Sequence, residues 1–443
     1  MHTQAVTPEH AGADCRPADD IGAGIYALLA ELYPICRSLT GDGVRDTLRI
    51  IGRDIPMSVT EVPTGTKVFD WVVPSEWNIR DAWIRRVGGE TVAEFRDCNL
   101  HVMGYSVPVR QRLSLKDLRP HLFTDPRQES VVPYRTSYYQ ENWGFCLPDR
   151  RVRELADGEY DVCIDSTLAP GSLTYGECYL PGERRDEILI ACHTCHPSLA
   201  NDSLSGVVIA AALARSLAGR RRRYSYRFLF APGTIGAIAW LAAHEGDISR
   251  VKHALVATCL GDTGWFTYKK SRRGNAEVDR AALHVLKHSQ EHFAVQEFSP
   301  YGGDERQFCS PGFNVPCGSL MRTPYGEFPE YHTSADDLNF VRAECLAESL
   351  EVYRNVCDVL DANVAFLNLN PKGEPQLGRR GLYGAVGGSM DARRHELALL
   401  WVLNLSDGDH SLLDIAERSE MPFDVIRSAA AVLVEHDLLR EIA

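Results

Sequence analysis

Several things are missing from this chain of 443 residues, and each absence narrows the field. No apolar run reaches the ~20 residues that a membrane-spanning helix needs, which argues against a helical membrane protein. The first twenty residues, MHTQAVTPEHAGADCRPADD, lack a basic stretch followed by an apolar one. They read as a flexible tail, not as a secretory signal, and a cytoplasmic location is the expectation. Positive charge is in deficit: 47 Lys and Arg stand against 60 Asp and Glu, a net of −13. That balance disfavours nonspecific binding to nucleic acid or anionic membrane. Internal repeats are absent, so a solenoid is not expected. The thirteen cysteines are odd in number, and Cys163, Cys259 and Cys357 sit inside apolar runs. They read as small buried hydrophobes, not as a disulfide framework.

What is present divides by texture, and the length allows two to four domains. Ile21 to Leu39 carries apolar residues at helical spacing, and Val44 to Ile51 continues helically after the Gly41-Asp42-Gly43 break. Residues 59–178 change character. Short aromatic-rich runs alternate with turn residues, and Gly88-Gly89 sits between two alternating runs like a hairpin turn, so a small inserted β-rich domain is expected. Within it, RTSYYQENWGF (residues 135–145) reads as exposed hairpin surface or as a lid over a site.

Residues 179–364, together with 21–58, read as the main body. Strands are expected at Ile188–Cys192, Tyr224–Phe230 and His253–Leu260. Helices are expected at Val207–Leu217, Ile235–Ala243, Ala281–Glu291 and Ala343–Val364. The alternation predicts an α/β fold: a mostly parallel sheet with helices on both faces. Residues 365–380, with Pro371, Gly373 and Pro375, read as a linker. Residues 381–443 then hold a helix at Glu396–Leu405 and a helix-turn-helix pair at Leu412–Glu417 and Phe423–His436, with LLREIA as the start of a wing. Residues 375–443 carry seven Lys and Arg against eleven Asp and Glu, a net of −4, whereas a DNA reader carries a basic stripe. Protein–protein contact is the expected role of this module, and a homo-oligomer the expected state.

The chemistry gathers at strand ends, where open α/β sheets place their sites. In EILIACHTCHPSLANDSLSG an apolar strand delivers His193 and His196, and Asp202 precedes the next helix. Asp262 follows the strand ending at Leu260, and His332 lies in PEYHTSADDL. Imidazoles and carboxylates in this mixture suit Zn²⁺ or a similar divalent ion. Cys192-His193-Thr194-Cys195-His196 also spells C-x-x-C-H, but within an α/β core and with Pro197 following, neither haem attachment nor a redox helix fits.

The stretches CHPSLANDSLSG, RFLFAPGTIGAI, GDTGWFTYKKSR and GGDERQFCSPGFNVPCGSLMRTPYGEFPEYHTSADDL resemble the co-catalytic zinc aminopeptidase superfamily. More closely, they resemble the aminopeptidase-like proteins of polysaccharide and natural-product biosynthesis, which have an inserted β domain and a C-terminal winged helix. The resemblance implies one zinc ion, or two, held by His193 or His196, by Asp202 and Asp262, and by His332. It also exposes departures. The aspartate of the H-x-D motif is replaced by Cys195, and the Glu-Glu that precedes Ile-Gly is replaced by Gly233-Thr234, which removes the usual general base. Substitute bases are sought in Asp304, Glu305 and Glu327, and Arg306 is a candidate clamp for a substrate carboxylate. Tyr325 and Tyr331 are further candidate substrate contacts. The expected function is metal-dependent hydrolysis of an amide in a small aminoacyl or peptidyl substrate. The alternative is an altered or inactive binding or scaffold protein on the same fold.

Overall fold

The run at Ile188–Cys192 lies near the middle of an eight-stranded sheet in a computed structural model that describes residues 18–382 and 390–442. Of the expected tail, residues 1–17 fall outside the described residues, and 18–20 begin a helix. The strands are β1 (Ser58–Pro63), β2 (Ser172–Leu180), β3 (Glu187–His193), β4 (Ser225–Ala231), β5 (Val251–Ala257), β6 (Phe266–Lys269), β7 (Phe293–Gln296) and β8 (Cys317–Met321). Their order is β1-β2-β4-β3-β5-β8-β6-β7. The centre, β4-β3-β5-β8, is parallel, while β2 on β4, β1 on β2 and β6 on β8 run antiparallel. β1 and β2, which the sequence places in the inserted domain, thus extend the main sheet; their ladder is continuous with Ser225–Ala231.

β3 is apolar on both faces because helices cover both. Ile188, Ile190 and Cys192 join one core with helices α1 (Ala18–Leu32), α3 (Gly206–Leu217), α5 (Glu277–Ser289) and α6 (Ala343–Ala362). Leu189 and Ala191 point the other way, into a core with α4 (Ile235–Ala243) and the inserted strands. This period of two, with hydrophobes on both sides, is the mark of a buried parallel strand. α1 stops at Leu32 instead of Leu39, because Pro34 has no N–H to donate and forces the preceding Tyr33 out of helical geometry. Helix α2 (Asp42–Ile51) follows.

The inserted segment folds around an antiparallel sheet of Thr91–Glu94, Glu76–Arg86, Glu159–Ala169 and Val109–Ser114. At the C-terminal end, residues 365–368 are not linker but the central strand of a three-stranded sheet, flanked by Asp407–Ser411 and Leu439–Ile442. With helices α7 (Met390–Leu405), α8 (Leu412–Ser419) and α9 (Phe423–Glu435) they form the winged helix. Ser411 caps α8 in a reciprocal box with Asp414, and Arg280 of α5 ties the module down through Asp414 and Glu417 at 2.6 and 2.5 Å. Among the described residues, no helix is long and apolar enough to cross a membrane, and all twelve cysteines are free.

One polar group in the sheet yields a measurable consequence. His253 of β5 is buried beside Tyr224, and neither ring nitrogen has a hydrogen-bond partner among the described residues. Burial pushes its pKa down to about 4, and Lys252 and Arg273 add to that against Asp186. The folded pKa lies below the unfolded one, so the unfolded chain binds the extra proton; this share of stability is full above ~6.5 and is lost as pH falls toward ~4. His253→Leu should therefore shrink the drop in unfolding free energy between pH 7 and pH 5 by about 2 kcal/mol in urea titrations.

Candidate metal centre

The Pro197–Gly206 stretch is built to deliver one carboxylate. It runs from the end of β3 to α3, and Gly206 sits where a Cβ would lie 2.1 Å from the Ala257 carbonyl oxygen, so only glycine lets the helix approach the sheet. Asn201 binds across to the loop after β5, donating to Asp262 at 3.0 Å and accepting from the Gly261 N–H at 2.8 Å. Asp336 holds the turn from the other side: its two carboxylate oxygens accept the N–H groups of Asn201 and Asp202 at 2.6 and 2.9 Å. Burial raises the Asp336 carboxyl to about 7, against the pull of those two N–H groups.

Three imidazoles converge on the Asp202 carboxylate so delivered. His193 Nε2 is 3.1 Å from Oδ1, His196 Nδ1 is 3.5 Å from Oδ2, and His332 Nε2 is 2.9 Å from Oδ2. Asp202 is 2% exposed, and burial alone would raise its carboxyl; the positive potential of His196, His193 and His332 outweighs that and holds it well below the usual range. His193, despite burial, is shifted up by Asp202. His196, His193 and Asp202 offer donor atoms all within 4.8 Å of one another. The close approach of His332 to Asp202 lacks hydrogen-bond geometry, and both Nε2 and Oδ2 are buried with no hydrogen-bond partner among the described residues. Orphaned buried donor atoms are rare in folded proteins. A nitrogen-rich set with one carboxylate and two such orphans fits a divalent ion of the zinc type.

The surroundings hold these rings still. Tyr134 stands edge-on to His196 and His332 at 5.3 and 5.1 Å, and its backbone N–H donates to the His332 carbonyl at 2.7 Å. Tyr331 stacks on His332 at 4.0 Å. Arg37, buried, donates from Nε to the His196 carbonyl and from Nη2 to the Pro197 carbonyl at 2.7 and 2.9 Å. Burial lowers its pKa to about 10, so it stays charged while spending that charge on carbonyls. His332 itself has a positive φ of 56°, a conformation that costs energy and is held by this packing.

A pocket of about 610 Å³ opens above the cluster. Asp304, Arg306, Tyr325 and Tyr331 line it, as do Cys195, Gly233 and Thr234. Its other wall comes from the inserted segment: Tyr134, Arg135, Thr136, Tyr138 and Tyr139, so most of the RTSYYQ run covers the site as a lid would. Asp304 Oδ1 accepts the Thr234 N–H at 2.7 Å, and burial raises its carboxyl, with His193 pulling the other way. Thr234 has φ 60° and sits at the centre of a tight γ-turn closed by Ile235 N–H on the Gly233 carbonyl at 2.8 Å. The Gly233 N–H donates to Cys195 Sγ at 3.2 Å.

Three sequence candidates lie elsewhere. Asp262 is not brought into the imidazole cluster: Oδ1 accepts from Thr323 Oγ1 and Gly264 N–H at 2.5 and 2.7 Å, and Oδ2 accepts from Asn201. Glu327 is exposed, accepts from Gln296 at 3.2 Å and does not line the pocket. Glu305 is fully buried behind the pocket, paired with Lys269 at 2.8 Å, with Tyr325 OH 3.0 Å from the same Nζ. Asp336, Arg37, Tyr134 and Lys269 escaped the sequence reading. Only Asp336 had a signal, as a carboxylate four residues beyond His332.

The Lys269–Glu305 pair braces the loop that presents Asp304 and Arg306, since Lys269 Nζ also donates to the Tyr301 carbonyl at 2.6 Å. Removing one buried partner strands the other charge. Lys269→Met should cost about 3–5 kcal/mol in denaturant unfolding, and adding Glu305→Gln should restore most of it.

Comparison with known proteins places the family and the fold. Residues 26–363 match a family model described as a domain of unknown function, DUF4910, and residues 364–441 match a winged helix-turn-helix. A Clostridium acetobutylicum protein, provisionally named a polysaccharide biosynthesis protein with aminopeptidase-like domain, is 51% identical over 423 residues, 96% of this chain and 97% of its own. A crystal structure from the same organism, provisionally named a peptidase, superposes with a TM-score of 0.92 at 50% identity, over 96% of this chain and 97% of that one. A zinc aminopeptidase from Bacillus subtilis shares the fold at a TM-score of 0.57 and 11% identity, over 78% of this chain and 96% of its own. The chain therefore belongs to the DUF4910 family, with an aminopeptidase-like α/β fold that ends in a winged helix.

Proposed function

We propose that this protein is a metal-dependent hydrolase that cleaves an amide bond in a small aminoacyl or peptidyl substrate. The observation that carries this reading is the convergence of His193, His196 and His332 on Asp202 at the floor of a pocket. These four residues would hold the ion. Zinc held by them would supply Lewis-acid chemistry, polarising an amide carbonyl and lowering the pKa of water toward ~7. Asp304 serves as proton acceptor: Oδ1 is fixed by the Thr234 N–H, Oδ2 has no such partner among the described residues, and burial raises its carboxyl, which makes it a stronger base. It stands in for the carboxylate that Gly233 lacks. Tyr134 and Tyr139 wall the pocket and limit the substrate to a small one. The name of the Clostridium relative favours an intermediate of polysaccharide biosynthesis as the source of that substrate.

The bare position at Gly233 favours a second reading, a binding protein that has lost turnover. Elemental analysis and an aminoacyl-amide panel separate the two. We expect about one zinc ion per chain, lost in Asp202→Ala, and turnover that falls roughly 10²–10⁴-fold in Asp304→Asn with metal content unchanged. A zinc-loaded protein that turns over none of the panel would leave only the binding reading.

A further inference from the structure

Besides the orphaned atoms of the metal centre, the pocket holds a second unsatisfied feature. Arg306 lines it, half-buried, and forms no ion pair within 4 Å among the described residues, although Asp304 and Glu305 are its neighbours in sequence. Its Nε is buried with no hydrogen-bond partner among the described residues, and its Nη2 has one marginal contact, 3.5 Å to Thr234 Oγ1. Glu305 is already committed to Lys269, and Asp304 Oδ1 to the Thr234 N–H. A guanidinium whose Nε is buried away from water with no partner among the described residues is costly unless something else satisfies it.

Beside it the backbone leaves room. A Cβ built on Gly233 meets only Cys195 Sγ at 3.4 Å and His193 Cβ at 3.7 Å, both ordinary contacts, and Gly233 adjoins the same Thr234 that touches Arg306. The Thr234 that adjoins this open position meets charge of both signs, with Asp304 Oδ1 accepting its backbone N–H at 2.7 Å and Arg306 Nη2 at 3.5 Å from its hydroxyl. The remaining carboxylate of the metal centre, Asp202, is already surrounded by three histidines.

We infer that Arg306, with the space over Gly233 and the Thr234 hydroxyl, is a subsite for a carboxylate carried by the substrate. The planar guanidinium donates two parallel N–H bonds to a carboxylate, which gives orientation as well as affinity. The inference deepens the hydrolase reading by naming the substrate as an acid: an acyl or peptidyl amide with a free carboxylate close to the scissile bond. The carboxylate is bound by the protein and not by the ion.

Calorimetric titration of the full chain with N-acetylglycine and N-acetylglycinamide tests this, on protein as purified and on protein stripped with a chelator and dialysed. The acid should bind both preparations, and the neutral amide should bind at least about tenfold more weakly. Arg306→Gln should lose about tenfold for the acid and nothing for the amide, with Arg306→Lys in between because it keeps charge but not the fork. Gly233→Glu, which fills the slot with a carboxylate of its own, should abolish acid binding while Arg306 stays in place. Equal binding of acid and amide, no binding of the acid, or unchanged affinity in both Arg306 variants would overturn the subsite. So would loss of acid binding on stripping the metal, which would place the carboxylate on the ion, or stronger binding of inorganic phosphate than of the acid. Because the readout is binding, a chain that shows the expected pattern without hydrolysing any amide loses the hydrolase reading alone.

Discussion

A carboxylate with two per cent exposure has to be neutralised where it stands, and Asp202 sets that condition for the whole site. The solution is three imidazoles from two distant parts of the chain, so the fold must bring residues 193–202 and 332 to one point. Each surrounding device serves that meeting. Asp336 grips the backbone of residues 201 and 202, Arg37 grips the carbonyls of 196 and 197, and Tyr134 stands against two of the rings. The parallel centre of the sheet makes it possible, because the loops after parallel strands open on the same edge.

Around this centre the pocket wall mixes small, acidic and basic groups. Cys195 and Gly233 meet there, the Gly233 N–H donating to Cys195 Sγ. Asp304, held by the Thr234 N–H, and Arg306, which forms no ion pair within 4 Å among the described residues, face the same pocket. The imidazole–carboxylate cluster and the pair Asp304 and Arg306 line one pocket from different loops.

How much of this could be read in the sequence follows from the range of the interactions. The central strands and helices were legible because each is a local pattern: Ile188–Cys192 is apolar on both faces, and Leu412–Glu417 and Phe423–His436 show helical spacing. The short strands at 266–269, 293–296 and 317–321 were not, since four or five residues carry too little periodicity and are fixed by their neighbours in the sheet. His193, His196, Asp202 and His332 stood out as residue types at strand ends. Asp262 stood out equally, but its oxygens are filled by Thr323, Gly264 and Asn201, which only three-dimensional packing reveals. Glu305 was a candidate base by composition, and its capture by Lys269, thirty-six residues away, could not be seen along the chain. Arg37 gave no sign at all, because a buried guanidinium satisfied by backbone carbonyls has no partner residue type to search for.

The backbone link between Tyr134 and His332, reinforced by Ser334 N–H on the Val132 carbonyl at 2.8 Å, joins the inserted segment to the loop of the main body that carries His332. The pocket is thus a seam between two separately built pieces of the chain. Whatever occupies it is held from both sides at once, so occupancy acts as a weld: hydrogen exchange should slow in residues 131–139 and 332–336 together, as one cooperative unit.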